Sequence, residues 1–489
     1  MLYYICYSAI ILCLCGYGAH RFLMLYLYFK HKNHIPQPQS NFDELPKVTI
    51  QLPIFNEQYV TERLLQKVSE MDYPKDKLHI QILDDSTDET QEIAQNKALE
   101  LKSLGYNVDY HHRTNRTGFK AGALENGLKH TDAEYLLILD ADFSPQASLL
   151  QNTIHYFTNP NLAVVQTRWG HINRNYNLLT RIQAILLDGH LQIEQTARCR
   201  SGRFFTFNGT AGIWRKQAIE DAGGWEHDTL TEDMDLSYRA QLKGWKFLFL
   251  NHIETPAELP PDVNSFKSQQ HRWAKGAIQC CLKILPTIWK SKAPLFIKLE
   301  ATSHLTSNFA YLLLLMLAVL LNPQFNSPEL PVWLDILMQA VIYTLGSISL
   351  ISFYLISQLQ LNKGSIFSFL IKLPLLMGVG VGMSINNAKA VLEAIFHQHS
   401  SFVRTPKYCI SKEGKVPIKK ILYRPIKSFT VLFEVLFGCY FTFLVSYFLV
   451  NHNYLGAILL AIFPIGFFYI AFNSLFPNLF TAHHCSKNT

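Results

Sequence analysis

The fold of this chain is decided by the stretch Tyr135-Leu-Leu-Ile-Leu-Asp-Ala-Asp142. An apolar run between turn-like segments is typical of a parallel strand that is buried on both faces. The strand is predicted to end on two carboxylates, Asp140 and Asp142, at the edge where open α/β sheets bind ligands. Hard carboxylate oxygens suit Mg²⁺ or Mn²⁺, which usually shares its coordination with phosphates. An Asp-x-Asp pair alone is weak evidence for a metal site, because Asp233 and Asp235 form another such pair. The position of Asp140 and Asp142 after a buried strand is what makes them a metal-site candidate.

The composition indicates a membrane protein with a reduced interior. A chain of 489 residues exceeds one ordinary core, so we expect two or more units. Hydrophobic residues make up 49% of the chain and are clustered rather than evenly spread. The net charge of +7 is modest, and no aromatic-interleaved basic stripe supports a nucleic-acid partner. The nine cysteines lie mostly in apolar runs without metal-ligand spacing, which favours buried thiols over disulfides.

Residues 1–30 are predicted to form an N-terminal transmembrane helix. The run from Leu2 to Phe29 is apolar almost throughout and exceeds the roughly 20 residues that cross a bilayer. A cleaved signal peptide is the alternative, and it is disfavoured because no basic segment precedes the run. Lys30 and Lys32 follow, so the positive-inside rule places the downstream residues in the cytoplasm.

Residues 45–290 are predicted to form an α/β domain inserted between transmembrane helices. Short apolar strands alternate with helical patterns up to about Val165, and this order predicts a mostly parallel, doubly wound sheet. Polar residues follow each strand, as a nucleotide crevice requires. The chain has no G-x-G-x-x-G or Walker loop, so dinucleotide and P-loop sites lose their main support. The predicted strands are Val48–Leu52, Leu78–Leu83, Asn107–His111 and Tyr135–Leu139.

Residues 299–480 are predicted to form a C-terminal membrane domain. Within its segment Ile366–Phe396, the stretch Ile366–Ile385 is apolar but broken by a lysine, a proline and three spaced glycines. If it crossed the bilayer, the nine Lys and Arg residues from Lys389 to Lys427 would lie outside, against the positive-inside rule. We therefore expect an interfacial or re-entrant helix and a basic loop at about 366–427, and five spans in the whole chain, with six as the alternative. The C-terminal spans are predicted at Leu305–Leu321, Trp333–Ile356, Phe429–Val450 and Tyr454–Phe472.

Polar clusters after the strands supply a candidate nucleotide site. Asp84 and Asp85 follow the second predicted strand and are suited to hold a base, a ribose or a diphosphate. An Asx-turn that caps the next helix explains them equally well. Lys120 stands at a predicted helix start beside two glycines, where a helix N-terminus and an ammonium group together favour phosphate. A solvated lysine is the alternative there.

Further clusters supply candidate sugar and acceptor contacts. The backbone of Phe207-Asn-Gly-Thr-Ala-Gly212 is suited to line a sugar site, unless this is an ordinary glycine-bearing turn. Thr231-Glu-Asp-Met-Asp235 is predicted to open a helix with Thr231 as its cap, where acids also serve the helix dipole. In Gln269-Gln-His-Arg-Trp273 a guanidinium that can pair a diphosphate stands beside an aromatic face that can stack on a sugar. A structural Arg–Trp pair is the alternative.

Together these motifs resemble those of a known enzyme family. In chain order they are Pro53-Ile-Phe-Asn-Glu57, Leu83-Asp-Asp-Ser-Thr-Asp88, Lys120-Ala-Gly-Ala-Leu124, Asp140-Ala-Asp-Phe143, Gln166-Thr-Arg-Trp169, Phe207-Asn-Gly-Thr-Ala-Gly212, Glu232-Asp-Met-Asp-Leu236, Pro256-Ala-Glu-Leu-Pro260, Gln269-Gln-His-Arg-Trp273 and Phe402-Val-Arg-Thr-Pro-Lys407. The chain from Val48 to Lys407 is similar to family-2 glycosyltransferases of the cellulose synthase superfamily, in particular to the cellulose-synthase-like A and C groups. Those groups include glucomannan (β-mannan) and glucan synthases, and the resemblance implies a GT-A-like, nucleotide-sugar-binding sheet.

The resemblance implies an inverting sugar transfer from a nucleotide-sugar. Asp233 would be the general base, with Thr231 and Glu232 beside it. Asp140 and Asp142 would hold Mg²⁺ or Mn²⁺ on the diphosphate. The other implied roles are donor binding by Asp84, Asp85, Lys120 and Asp140, acceptor binding by Phe207, Asn208, Gly209, Gln269, Arg272 and Trp273, and a gating loop formed by Phe402, Val403, Arg404, Thr405, Pro406 and Lys407.

These roles favour a processive membrane synthase that uses UDP-glucose or GDP-mannose to extend a β-linked polysaccharide. A glycolipid synthase that adds one sugar to a membrane lipid is the second hypothesis. A transporter with a nucleotide-sensing domain is disfavoured by the intact base position and by the few charges inside the spans. We expect a multi-pass protein with its α/β domain in the cytoplasm, in the inner membrane of a bacterium or the Golgi of a eukaryote. Its expected partners are the donor, the glycan or lipid acceptor and the bilayer, without nucleic acid.

Overall fold

One seven-stranded sheet forms the centre of residues 45–290, which we call the sheet domain. The computed structural model describes residues 2–321, 333, 340–342, 344–398, 405–410 and 429–477. The strands are β1 Val48–Ile54, β2 Leu78–Asp84, β3 Asn107–His112, β4 Tyr135–Ile138, β5 Leu162–His171, β6 Gly212–Arg215 and β7 Lys246–Ala257. Their order is β3-β2-β1-β4-β6-β5-β7, and β6 alone among them runs antiparallel to its neighbours. The predicted mostly parallel α/β sheet is confirmed.

The four predicted strands correspond to β1–β4, with ends that differ by one or two residues. All seven residues of β1 are buried, as a central strand covered on both faces requires. The sequence patterns do not predict β6, because its four residues continue directly from the glycine-bearing cluster that ends at Gly212. The antiparallel direction of β6 matters for the site, since it places the residues before Gly212 at the carboxyl edge of the parallel strands.

Helices cover both faces of the sheet. The α-helices up to residue 290, of which α1 packs on other helices and not on the sheet, are α1 Leu2–His31, α2 Gln58–Ser69, α3 Thr90–Ser103, α4 Phe119–Leu128, α5 Gln151–Ile154, α6 Leu178–Asp188, α7 Thr196–Arg200, α8 Lys216–Asp221, α9 Glu232–Leu242 and α10 Val263–Lys290. In α2 the buried residues Val60, Leu64 and Val68 recur every four positions, which gives the helix one apolar stripe toward the sheet. The opposite face is covered by α4 and α9, whose Leu124 and Leu236 share an apolar cluster with the strands.

Thr231 does not cap α9 with its side chain, contrary to the prediction. It occupies the N-cap position, but its hydroxyl makes no capping bond and lies 3.4 Å from Cys280 Sγ in α10. The reason is the close packing of the two helices: a Cβ on Gly276 would lie 2.6 Å from the Thr231 side chain. The hydroxyl therefore turns toward α10 instead of the first turn of α9.

Several apolar helices are long enough to cross a membrane. By length and composition these are, within the described residues, Tyr3–His31, Ala340–Gln360, Ile366–Ile395, Thr430–Val450 and Tyr454–Leu475, and α11 Leu295–Thr306 with α12 Phe309–Leu320 forms a sixth candidate that is bent by 58°. The 12 residues of α12 extend about 18 Å, short of the roughly 30 Å of a bilayer core. The predicted span Leu305–Leu321 overlaps the end of α11 and all of α12, which meet at this bend, and it stays a prediction. Part of the predicted span Trp333–Ile356 lies outside the described residues.

Both ends of the segment Ile366–Ile395 contact the sheet domain. Phe369, near its start, shares an apolar cluster with Leu179 of α6, and Glu393, near its end, pairs with Lys275 of α10 at 3.1 Å. A straight crossing of this length would separate the two ends by about 45 Å and carry one of them away from the sheet domain. These contacts support the predicted interfacial placement, which stays a prediction because the segment is also long enough to span.

Trp214 tests the packing of the sheet against the α4–α9 layer. Its ring has no exposed surface and meets Phe207, Trp225 and Phe247 edge-on. We expect Trp214→Ala to cost about 3–5 kcal/mol of folding free energy and to lower the thermal midpoint of detergent-purified protein by at least about 6 °C. Leu99→Ala, at a 60% exposed position of α3, is the control. Equal midpoints for the two variants, measured by size exclusion after heating, would contradict this packing role.

Candidate active site

A cavity opens at the carboxyl edge of the sheet, beyond the ends of β1, β2, β4, β5 and β7. The antiparallel strand β6 begins at the same edge, and Asn208 and Gly209, which precede it, line the wall. The cavity brings together side chains from every predicted cluster. The predicted site residues that line it are Asp85, Lys120, Asp140, Asp142, Asn208, Gly209, Thr231, Glu232, Asp233, Gln269, Arg272, Trp273, Thr405 and Lys407.

Asp140 and Asp142 follow the end of β4 in a short turn. The amide of Phe143 donates to the carbonyl of Asp140 at 3.1 Å, and the amide of Asp140 donates to Thr210 Oγ1 at 2.8 Å. Lys120 Nζ donates to the carboxylate of Asp140, and Lys407 Nζ donates to that of Asp142. Each carboxylate is therefore held at the cavity wall by a cation.

The two carboxylates fit a divalent cation. Both Asp140 and Asp142 present hard oxygen atoms to the cavity, and both already attract an ammonium group. Mg²⁺ is usually bound by one or two carboxylates together with phosphate oxygens, so two protein ligands leave room for a diphosphate. This donor set suits Mg²⁺ and Mn²⁺ equally.

Lys120 lies in the first turn of α4, as predicted. The residue before the helix, Gly118, has φ of +74°, a conformation in the left-handed region that favours glycine. Besides Asp140, the Lys120 ammonium donates to the carbonyl of Gly209 at 2.9 Å. Burial alone would lower its pKa, but the charges of Asp140, Glu232 and Asp233 outweigh burial and raise the pKa above its ordinary value. Lys120 therefore stays charged at neutral pH.

Asp233 lies in the first turn of α9 and faces the same cavity. Its Oδ1 accepts the amide of Met234 at 2.8 Å. A Cβ on Gly209, which has φ of +80°, would lie 2.8 Å from Asp233 Oδ2. Any other residue at this position would therefore displace the Asp233 carboxylate. Desolvation and the neighbouring Glu232 carboxylate raise the pKa of Asp233 to about 7, against the opposing charge of Lys120. A carboxyl group with that pKa is suited to accept a proton near neutral pH.

Of the predicted site residues that the structure describes, Asp84, Phe207 and Pro406 do not line the cavity. Asp84 is fully buried, and its carboxylate accepts the Tyr110 hydroxyl at 2.7 Å and the amide of Ser86 at 2.9 Å. Its carboxylate is thus already bonded inside the sheet domain, whereas Asp85 lines the cavity and pairs bidentately with Arg113. Phe207 is also fully buried, because its ring packs against Trp214 in the core instead of facing a ligand.

The wall opposite the strands is formed by α10. Gln269, Arg272 and Trp273 lie within its first three turns and all line the cavity. The helix is capped by Asp262, whose Oδ1 accepts the amide of Ser265 at 2.8 Å. The predicted Q-x-x-R-W element therefore presents an amide, a guanidinium and an indole on the cavity side of one helix.

The predicted gating loop is described only in part. Thr405 and Lys407 line the cavity, and Pro406 lies between them without lining it. Phe402, Val403 and Arg404 lie outside the described residues. Because Lys407 reaches Asp142, the described segment 405–410 lies at the same edge of the sheet as the cavity.

The sequence motifs assign no role to two further cavity residues, Glu258 and His171. Glu258 belongs to the motif Pro256-Ala-Glu-Leu-Pro260, so the sequence offered a sign that it belongs to the site. Burial raises the pKa of the Glu258 carboxyl group, and the Tyr408 amide and Arg63 oppose that rise. His171 is a lone histidine at the end of β5 and gave no signal in the sequence. Its Nε2 lies 3.0 Å from the buried carboxylate of Asp188.

An acidic cluster outside the cavity contains the second Asp-x-Asp residue, Asp235, with Glu226 and Asp228. Lys283 Nζ pairs with all three carboxylates. The cluster is therefore a structural ion-pair network between α9 and α10. Asp233 and Asp235 point to different surroundings although they are two residues apart.

Comparisons with known proteins agree with this arrangement. The family described as "Glycosyl transferase family group 2" matches residues 135–379, which include both Asp140 and Asp233. The chain is 37% identical over 370 residues to glucomannan 4-beta-mannosyltransferase 2 of Arabidopsis thaliana, covering 71% of this chain and 68% of that protein. It is also 37% identical over 327 residues to glucomannan 4-beta-mannosyltransferase 1 of Oryza sativa subsp. japonica, covering 64% of this chain and 62% of that protein. The match to the rice protein spans less than two thirds of its length.

The fold is also similar to a solved structure. Mannosyltransferase PcManGT from Pyrobaculum calidifontis, in complex with GDP-Man and Mn²⁺, superposes with a TM-score of 0.56 at 18% identity, covering 80% of this chain and 100% of that one. At this identity the likeness concerns the GT-A-like fold alone. Together with the family match and the relatives above, it leads to one assignment: the chain belongs to glycosyl transferase family 2 and is a glycosyltransferase.

Proposed function

We propose that this chain transfers mannose from GDP-mannose, with inversion, to the end of a growing β-1,4-linked glycan. The observation that carries the proposal is the shared cavity of Asp140, Asp142 and Asp233, which joins a metal-type carboxylate pair to a carboxyl group of raised pKa. Relatives named glucomannan 4-beta-mannosyltransferase support mannose as the sugar. UDP-glucose is the alternative donor, because glucomannan contains both sugars.

Asp140 and Asp142 would hold Mg²⁺ or Mn²⁺ at the diphosphate of the donor. When bound, such an ion acts as a Lewis acid that stabilises the departing negative charge. Lys120 is placed beside Asp140, so its ammonium would face the same phosphates. Arg272 adds a further cation to the cavity. Preorganised charges of this kind act strongly where water is excluded.

Asp233 would act as the general base. Its carboxylate takes the proton from a hydroxyl of the acceptor, whose oxygen then attacks the anomeric carbon of the donor sugar. The bond from that carbon to the diphosphate oxygen breaks, and its electron pair leaves with the nucleotide. One displacement of this kind inverts the anomeric centre, and a positioned base contributes about 10²–10⁴-fold to its rate.

The acceptor would enter along α10. Trp273 offers an apolar face on which a sugar ring can stack, and Gln269 can bond to its hydroxyls. In this proposal a growing glycan leaves between the helices that are long enough to cross a membrane, one of which pairs with α10 through Glu434 and Lys267. We place the sheet domain in the cytoplasm, where nucleotide-sugars are made, and the transfer is processive in this scheme.

The donor and product are tested with detergent-purified protein, Mg²⁺ and either radiolabelled GDP-mannose or UDP-glucose. We expect GDP-mannose to label a polymer that β-1,4-mannanase releases, with UDP-glucose incorporated less or only together with mannose. Label in an organic extract without polymer would instead identify a glycolipid synthase. If only UDP-glucose labelled the polymer, and cellulase released that label, the transferred sugar would be glucose and not mannose.

The base is tested by Asp233→Asn. Transfer should fall by roughly 10²–10⁴-fold because the amide cannot accept the proton, while the Kd for GDP changes little, since the side chain keeps its shape. Asp76→Asn, at an exposed position before β2, makes the same chemical change away from the cavity and should keep full activity. Loss of nucleotide binding together with transfer would contradict the base role.

The pH profile gives an independent test of Asp233. The raised pKa of about 7 means that the carboxyl group is protonated and inactive as a base below that pH, and deprotonated above it. The value of kcat/KM for the donor, which reports the free enzyme, should therefore rise as the pH increases through about 7 and then level off. A profile that is flat across this range, with the protein intact by size exclusion, would rule out the assignment.

A further inference from the structure

The segment 405–410 is fixed to the sheet domain by one buried carboxylate. Glu258 follows β7 directly, and its side chain is only 1% exposed. Its Oε1 accepts the amide of Tyr408 at 2.8 Å, and its Oε2 accepts the amide of Ile410 at 3.2 Å. Arg63 Nη2 lies 3.5 Å from Oε2. Both oxygens of Glu258 are thus used, and both bind backbone rather than side chain of the segment.

The backbone of the segment is shaped for this carboxylate. Cys409, between the two bonded amides, has φ of +57°, a left-handed conformation that is uncommon for residues other than glycine. Such a residue lets neighbouring N–H groups converge on one anion, which is the geometry of an anion-binding nest. The strain at Cys409 is therefore explained by the two bonds that Glu258 accepts.

Seating the segment fixes the position of Lys407. Lys407 Nζ donates to the carboxylate of Asp142 inside the cavity. Tyr408 makes a second contact besides its amide bond to Glu258. Its hydroxyl donates to Oδ2 of Asp262 at 2.9 Å, and Asp262 is the residue that caps α10. The segment thus connects the Asp-x-Asp turn to the helix that carries Gln269, Arg272 and Trp273.

We propose that Glu258 is a positioning residue: it seats segment 405–410 through two backbone amides and thereby holds the Lys407 ammonium at the diphosphate end of the cavity. That Lys407 binds a diphosphate rests on the proposed function, whereas the contact between Glu258 and segment 405–410 does not. When a nucleoside diphosphate enters, Lys407 transfers its bond from Asp142 to a phosphate oxygen. Glu258 acts on the donor only through Lys407.

The seating is tested by hydrogen–deuterium exchange of the Tyr408 and Ile410 amides in the full-length protein in detergent. Glu258→Gln keeps the shape of the side chain but places an NH₂ group against one of the two amides. We expect exchange at both amides to become about tenfold faster or more, because two charge-assisted bonds are weakened. Glu92→Gln, at an exposed position of α3, is the control and should leave both rates unchanged.

A second pair of variants tests the nest without altering any charge. Cys409→Val introduces a β-branched residue that disfavours positive φ, so it should speed exchange at Tyr408 and Ile410 as Glu258→Gln does. Cys409→Gly accepts the same backbone conformation and should keep both amides protected. Unchanged exchange in both Glu258→Gln and Cys409→Val would overturn the proposal.

The link to Lys407 is tested by binding of GDP and of UDP, each with Mn²⁺, to Glu258→Gln, Lys407→Met and the double variant. Each single variant should weaken the tighter of the two nucleotides about fivefold or more, while Lys407→Met leaves the Tyr408 and Ile410 amides protected. The double variant should bind no more weakly than Lys407→Met alone, because residues that act through one another are not additive. Fully additive losses would overturn the proposal. If wild-type protein bound neither nucleotide, the proposed function would fail, and the exchange measurements would still decide whether Glu258 seats the segment.

Discussion

The site depends on a balance between clustered carboxylates and the lysines that hold them. Asp140, Asp142 and Asp233 face one partly desolvated cavity, where like charges repel more strongly than in water. Lys120 and Lys407 each pair with one of the first two carboxylates. A diphosphate with its metal ion can take over this charge balance, because it brings both an anion for the lysines and a cation for the carboxylates. The lysines and carboxylates of the cavity are therefore arranged to complement the charges of a diphosphate and its metal ion.

The same edge of the sheet is tied to the apolar helices by buried polar contacts. Asp188, at the end of α6, receives Arg174 and His171 from the sheet domain and Gln358 from the apolar helix Ser349–Gln360. Lys267 of α10 pairs with Glu434 of the helix Thr430–Val450 at 2.6 Å, with both side chains nearly free of solvent. Breaking one partner of such a pair leaves a buried charge uncompensated. The cavity is therefore held in a fixed position relative to these apolar helices.

Local patterns account for what could be predicted. The strands β1–β4 are short apolar runs bounded by polar residues, and the start of α4 at Phe119 follows a glycine; these features depend on neighbours in the chain. The direction in which an individual side chain points does not depend on chain neighbours alone. Asp84 and Asp85 are adjacent, yet one bonds inside the sheet domain and the other lines the cavity. Strand alternation predicts that neighbours face opposite ways, but it does not say which one faces the ligand.

The chemical groups of the site could be read from local patterns: two carboxylates after a buried strand, a lysine at a helix start, an acid at the start of another helix, and an Arg–Trp pair. That these groups share one cavity, and that Lys407 reaches Asp142 across 265 positions of the chain, became known from the folded arrangement alone. The contacts of Glu258 with the amides of Tyr408 and Ile410, and the position of Phe207 in the core, are also known only from the fold. The physical reason is that residue type and local spacing set propensity and chemistry, whereas contacts between distant segments are set by how helices and strands pack, which no local pattern encodes.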